Sequence, residues 1–514
     1  MALWHPVYRF TGLLQVDAAN EAKLLPALRG QPIALSPIGG YDGQYYAQLA
    51  CDPSLRTPEL RTAIDSLSYR ARRILVPAVA WMLGGGRPGA ALQAYTWINI
   101  GCWFWLAVLL WRLLGADQWR GLAAWTGVMF ASGTLLSIRF SLTDLPGLVL
   151  FVAAMVAMER GRERPGLAWF GACLLARETM LVGAWGLVSR AWERAPGRLL
   201  RTGLMLAVAI SPLAFWLLYV GWQVGPAGAG GVGAFGWPGT AVIGEWREEW
   251  ARACSGEHGW LAWSALLATV GLTVQAVFIV VHFRPEDRWW RVGVGYVVLM
   301  LVLGPAVWEG IGAAALRVLL PLLLACNVMV VRNRYSSWWL LALNLSVAGG
   351  LQGLTPIPDE REMVAVRTSQ AAVIVRTDTG CYGPERLGKD HWVWTEAKAE
   401  WQLQFWTGGR EVDALLRTKV RALDERELVI SWAGGELWRG RVGPSWSPVF
   451  LPPLPVHDGR VTLTFRSDSP AVREGPGSDA RLFSVCLLNP RIELRAQLPG
   501  QAEAAQHSGG ATDR

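Results

Sequence analysis

WLAWSALLATVGLTVQAVFIVVHF (260–283) runs for twenty-four residues without an Asp, Glu, Lys or Arg. A helix needs about 20 apolar residues, rising about 1.5 Å each, to cross a bilayer core. The stretch therefore reads as a membrane span. Runs of similar length occupy 90–114, 121–139, 199–222 and 311–331, and shorter ones 145–158, 290–307 and 336–351. Segment 74–86 is too short to cross alone and reads as a half-helix or re-entrant piece. Only 17% of the chain is charged, against about a quarter in an ordinary soluble domain. The deficit is confined to Ile74–Gly350. The expected fold is a polytopic α-helical membrane bundle of about 8–10 membrane segments, including a re-entrant helix pair, followed by an all-β sandwich. The expected division is an outer loop region over 1–73, the bundle over 74–352, the β domain over 353–498 and a disordered tail over 499–514.

Tryptophans at the ends of the apolar runs (Trp111, Trp119, Trp192, Trp222, Trp260, Trp289, Trp290, Trp338, Trp339) fit the headgroup region. The net charge of +8 lies largely in short loops between runs, which the positive-inside rule explains better than nucleic-acid binding does. The basic clusters are Arg160, Arg162 and Arg164; Arg190, Arg194, Arg198 and Arg201; Arg284, Arg288 and Arg291; Arg332 and Arg334. All share the cytoplasmic side if 166–190 enters and leaves on one face, as a hairpin of two half-helices. Arg177-Glu178 at its centre, costly in a straight lipid-facing span, then reaches a polar cavity. Residues 1–70, the turn around Asp144, the Gly-rich 223–259 and the C-terminal domain fall on the outer face. Met1 to Leu14 holds neither a signal nor a span, so one expectation is a first helix preceding this start. The other is a cytoplasmic N-terminus, with 74–86 crossing alongside its neighbours.

The loop before the bundle, GGYDGQYYAQLACDP (39–53) and then SYRARRILVPAVAW (68–81), carries the densest chemistry. Gly39, Gly40 and Gly43 permit a tight turn around Asp42. Tyr41, Tyr45 and Tyr46 offer flat faces to a sugar ring. Arg70, Arg72 and Arg73 suit bidentate capture of phosphate oxygens. A carboxylate beside guanidiniums can take a proton from a hydroxyl while the cations steady a phosphate leaving group. The spacing equally suits a turn cap at Asp42 and arginines anchored to lipid phosphates. Asp144 before Pro146 reads either as a helix cap or as a catalytic acid. Glu309 and Arg317, eight residues apart, face one cavity or pair with neighbouring helices. Cys102, Cys173 and Cys326 read as core residues. Cys381 and Cys486 are the pair a disulfide would join if their domain is exported. The six histidines (His5, His258, His282, His391, His457, His507) have no metal-ligand spacing, and no nucleotide-binding glycine pattern is present. GPAGAGGVGAFGWPG (225–239) reads as an outer loop or linker.

YDGQYY with Cys-Asp-Pro, then YRARRILVPAVAW, resembles the first outer loop of bacterial polytopic membrane proteins related to glycosyltransferases of the GT-C fold. SIRFSLTDLP (137–146), LLARET (174–179) and Glu309 followed by Arg317 continue the resemblance over about residues 30–330. It implies transfer of a monosaccharide from a polyprenyl-phosphate carrier to a glycan, lipid or protein acceptor at the outer membrane face. It also implies an inverting displacement, with or without a divalent cation. Asp42 would be the base, and Asp144 a second acid or a metal ligand. Arg177, with Arg70 or Arg73, would bind the carrier phosphate, with Glu178 orienting Arg177. Tyr41, Gln44, Glu309 and Arg317 complete the candidate binding set. The chain departs from the family in its single Asp42 where an acidic pair is expected. The alternatives are a flippase or transporter of lipid-linked glycans, which would show internal repeats, and a scaffold of a surface-polysaccharide complex.

From Met363 onward the pattern becomes short alternating runs (AAVIVRT, EWQLQFW, LVISWAG, VTLTF) broken by Gly, Pro and Asp, as in a β-sandwich. It resembles sandwich modules of bacterial sugar-transfer membrane proteins. Alternation places Trp392 and Trp394 on one face, near Glu385. They are sugar platforms if exposed and core if buried.

Overall fold

The computed structural model describes residues 3–188, 196–225, 233–256, 259–309, 314–351, 361–432, 435–473 and 481–496. Arg190, Arg194, Trp192, His258 and His507 lie outside them, as do 226–232 of the Gly-rich loop and the expected tail from 499. The chain forms two compact units: residues 10–29 with 33–356, and residues 4–9 and 30–32 with 357–514. The stretch expected to be a separate outer loop region is therefore divided. Residues 10–29 and 33–73 pack with the helices, with Leu14, Tyr46, Leu60, Tyr95 and Val220 in one core.

The helices that position the site are α1 (Gly43–Leu49), α2 (Leu75–Leu83), α3 (Pro88–Leu114), α4 (Trp119–Met129), α5 (Ser132–Arg139), α6 (Asp144–Glu159) and α7 (Glu163–Ala176). They continue with α8 (Ala184–Leu187), α9 (Pro196–Val224), α10 (Thr240–Ser255), α11 (Gly259–Val281), α12 (Arg288–Val302), α13 (Ala314–Val318) and α14 (Leu320–Arg332). Among described residues, α3, α9 from Gly203 and α11 are long and apolar enough to cross a membrane, and α4 with α5, bent by 44°, make a fourth candidate. These mark a membrane protein. The expected runs at 145–158, 290–307 and 311–331 hold helices of 16, 15 and 13 residues. Pro212 lies inside α9. A proline has no N–H, so the Val208 carbonyl is left without its helical donor. The Ser211 hydroxyl donates to it at 2.8 Å.

Polar contacts define the two ends of this bundle. Glu159, closing α6, accepts from Arg332 at the end of α14 and from the Trp289 indole at the start of α12. Arg288 and Arg291 of α12 donate to the Leu187 and Val188 carbonyls. The arginines beyond 159, 284–291 and 332 therefore gather at one end. Asp144, opening α6, lies about 22 Å away at about 1.5 Å per residue. α7 leaves the basic end and reaches Arg177. There the backbone turns extended (φ −153°, ψ 107°), and a 3-10 turn (Glu178–Gly183) and α8 lead back to Leu187. The chain thus enters and leaves at one end. Its first arm is nearly as long as α6, so it is not a half-helix. Trp289 and Trp290, expected at a headgroup boundary, are buried core residues, and Trp119, Trp222, Trp260 and Trp338 are exposed.

The second unit has twelve labelled strands: β1 (Glu362–Arg367), β2 (Ala372–Thr377), β3 (Glu385–Leu387), β4 (Asp390–Trp394), β5 (Lys398–Trp406) and β6 (Val412–Ala422). The others are β7 (Arg426–Trp432), β8 (Gly435–Val442), β9 (Ser447–Phe450), β10 (Leu454–Val456), β11 (Gly459–Ser467) and β12 (Val485–Ala496). Antiparallel sheets run β8-β7-β11-β5-β2-β1 and β9-β6-β12-β4-β3, with β10 also on β6. Alternation turns Trp401, Leu403 and Phe405 of one sheet and Val412, Leu416, Val420 and Leu487 of the other into one core, as in a β-sandwich. Residues 4–9 join this unit, with His5 3.0 Å from Glu362 and Arg376 donating to the Tyr8 hydroxyl at 2.9 Å. Cys381 and Cys486 are not joined by a disulfide, so the bridge that export would allow is absent. Burial pushes the Cys381 thiol up to about 11. Trp392 and Trp394 do share a face, as expected, but Trp394 is buried against Phe483 and the Trp392 indole donates to Glu385. Of the two alternatives the buried one holds: they form a small outer core with Phe483.

Candidate functional site

Asp42 precedes α1, but its carboxylate makes no capping bond. The glycines serve the turn in different ways. Gly39 sits at φ +102°, where a side chain is strained. A Cβ at Gly43 would strike the Phe140 carbonyl oxygen, so glycine lets α1 approach the end of α5. Cys-Asp-Pro proves structural: Asp52 accepts from the Ser54, Arg56 and Thr57 amides. Gln44, expected to bind substrate, is buried and accepts the Asp17 amide. It braces the loop instead.

The free Asp42 carboxylate goes to Arg70, at 2.8 Å. Arg70 also donates twice to Asp65, at 3.1 and 2.8 Å, and its guanidinium lies 5.1 Å from the Tyr45 ring. Burial acts to raise the Asp42 carboxyl. The charge and hydrogen bond of Arg70, with Arg317 and Arg73 farther off, outweigh it and hold the group below its ordinary value. Arg73 forms a two-pronged pair with Glu178, at 2.9 and 2.8 Å, and donates to the Tyr46 and Tyr69 hydroxyls. Glu178 therefore pairs with Arg73, not with its neighbour Arg177 as expected.

Asp144 is fully buried and has no capping role. It lies between Arg177 at 3.0 Å and Arg317 at 3.2 Å. Arg317 also donates to the Tyr41 hydroxyl at 2.8 Å, and the Tyr41 ring stacks on Phe140, centroids 4.1 Å apart. The extended backbone at Arg177 and the break between α13 and α14 deliver the two guanidiniums to the start of α6. Glu309 is exposed at the end of a short helix (Pro305–Trp308), and no contact among described residues joins it to Arg317. Arg317 follows the second of the two alternatives, an ion pair with a neighbouring helix, through Asp144.

Asp42, Asp144, Tyr41, Arg70, Arg73, Arg177, Glu178 and Arg317 thus fall in one network of ion pairs, hydrogen bonds and near charges. Asp65, Tyr69 and Phe140 belong to it as well. None has a spacing that marks it: Asp65 lies five residues before Arg70, and Phe140 meets Tyr41 only through tertiary packing. Several buried polar atoms here lack a hydrogen bond among described residues: Arg177 Nε, Arg317 Nε, Ser141 Oγ, Thr143 Oγ1 and Thr179 Oγ1. Such groups are costly unless water or a ligand meets them. Arg72, beside Tyr69 at 5.7 Å, has no carboxylate partner among described residues. The arrangement can bind an anion through guanidinium N–H groups beside a partly exposed carboxylate. Among described residues no group of three or more metal-ligating side chains converges. No protein-family model matches the chain, and neither a curated protein nor a solved structure matches it.

Proposed function

We propose that the protein is a membrane glycosyltransferase of GT-C type in a bacterial inner membrane. It would move a monosaccharide from a polyprenyl-phosphate carrier to a glycan, lipid or protein acceptor on the outer face. The finer architecture belongs to the same proposal: about 8–10 membrane segments, a re-entrant chain at Arg177, and an extracytoplasmic β-sandwich. The observation that carries it is the partly exposed Asp42 carboxylate set among Arg70, Arg73 and Arg317.

Asp42 takes the acceptor hydroxyl proton as that oxygen attacks the anomeric carbon. The bond to the carrier phosphate breaks with inversion, and the leaving phosphate takes the electron pair. The unpaired Nε–H groups of Arg177 and Arg317, with Arg72, are the donors free for that phosphate. Pairing with Arg70 weakens Asp42 as a base. A phosphate that draws Arg70 towards itself restores its basicity, which couples carrier binding to proton removal.

The test incubates detergent-solubilised protein with a radiolabelled polyprenyl-phosphate sugar and candidate acceptors. Asp42→Asn is expected to lower transfer by a factor of about 10² or more. Equal transfer by native protein and variant removes Asp42 from the mechanism. A second reading, a scaffold or flippase, is favoured by the fact that Asp42, Asp144 and Glu178 each already hold an arginine. Carrier movement across vesicles without transfer would support the flippase.

A further inference from the structure

The outer face of the second sheet carries a charge pattern unrelated to the Asp42 network. On β6, alternation turns Arg417, Lys419 and Arg421 outward while Leu416, Thr418 and Val420 are buried. On one flank β9 sets Phe450 opposite Arg417 and Pro448 opposite Lys419. On the other, β12 sets Arg491 opposite Arg417 and Leu488 opposite Lys419. Two arginines directly across an antiparallel pair repel each other and destabilise the sheet. Nothing in the hydrophobic core requires that pairing.

The acids on this face are Asp413 at the start of β6, opposite Arg495, and Glu493, Glu385 and Asp390, and each has a partner. Glu493 sits 2.9 Å from Arg495 and 3.7 Å from Arg417. Glu385 pairs with Arg481 at 2.8 Å, and Asp390 accepts from the Asn489 amide at 2.6 Å. In the centre, Lys419, Arg421 and Arg491 have no carboxylate partner among described residues. The Arg421 guanidinium lies 4.9 Å from the Trp446 ring and 5.4 Å from the Trp394 ring, and its buried Nε has no hydrogen bond. Trp446 is 39% and Phe450 62% exposed. The result is a row of cations spaced about 7 Å apart along a strand, edged by open aromatic rings.

We propose that this face, centred on Lys419, Arg421 and Arg491 beside Trp446 and Phe450, binds an anionic glycan bearing carboxylate or phosphate groups. The charges require an anion. Trp446, one residue before β9, and Phe450, its last residue, lie 4.9 Å and 5.8 Å from the Arg421 and Arg417 guanidiniums, so the rings stand beside the cations and offer surfaces for sugar rings. Bidentate guanidiniums match carboxylate and phosphate oxygens. The inference does not rest on glycosyl transfer by the Asp42 site.

Full-length protein in a neutral detergent is titrated with polygalacturonate, and with neutral dextran as comparison. Native protein is expected to bind polygalacturonate and not dextran. The exposed double substitution Lys419→Glu with Arg491→Glu should weaken binding at least about tenfold, without a change in melting temperature. Trp446→Ala should weaken it several-fold at a salt concentration that screens exposed charges. Should the double variant melt early, Lys419→Ala gives the same reading from an exposed position. Undiminished binding by these variants overturns the proposal. So does tighter binding, at the same residues, to polyuridylate or to phosphatidylglycerol vesicles, which would make the partner a nucleic acid or a membrane.

Discussion

At the scale of single residues, Asp144 holds two guanidiniums inside the bundle. Removing one partner of a buried ion pair leaves an uncompensated charge, at a cost of about 3–5 kcal/mol. Asp144→Ala strands both Arg177 and Arg317, so thermal unfolding in detergent should show a loss in that range. A loss below about 1 kcal/mol would mean the three groups are hydrated and independent. Asp42 behaves differently because it is partly exposed. Its carboxyl is held below the ordinary value, so the Asp42–Arg70 pair stabilises the fold above the ordinary carboxylate range. That contribution fades as pH falls through the depressed value. Asp42→Asn should therefore reduce stability at neutral pH and leave it unchanged in strong acid, as pH-dependent melts would show.

Among the elements, α10 carries the clearest titratable feature outside the candidate spans. Its buried positions are Ala241, Glu245, Glu249 and Ala253, one helical face on which two acids meet. Burial, then the nearby Glu249 charge, pushes the Glu245 carboxyl up to about 7, against the pull of Arg252. Folded protein then binds more protons than unfolded chain between the ordinary carboxylate value and about 7, so stability declines as pH rises through that window. Glu245→Gln removes the cost of ionisation. It should raise the melting temperature at pH 8 and not at pH 5. A shift of equal size at both values would point to packing instead.

For the whole molecule, α6 sets the two ends, with Asp144 at one and Glu159 at the other. If the arginine-rich end faces the cytoplasm, the Asp42 loop opens to the opposite side. In a background lacking native cysteines, Tyr45→Cys should react with an impermeant maleimide in intact spheroplasts. Arg334→Cys should react only after the membrane is opened. The reverse pattern would invert the topology and remove the outer-face reading of the site.

The apolar runs of α3, α9 and α11 and the alternation of β5 and β6 determined, by themselves, where helices and strands form. Hydrophobic transfer and side-chain period act over neighbouring residues, so both are written locally. The same local logic made the Arg177-Glu178 stretch legible as a break, because an ion pair is costly in an unbroken span. Which charges meet was not legible. Tyr41 and Arg317 stand 276 residues apart, and Asp144 and Arg317 173. Sequence spacing favoured Arg177 for Glu178, and for Arg317 it offered an ion pair with a neighbouring helix without naming the partner. Only the packing of α1, α5, α6, the α7 terminus and α13 decided that Asp144 lies between Arg177 and Arg317, and Arg73 against Glu178. An ion pair depends on distance in space, and that distance is fixed by every helix around it.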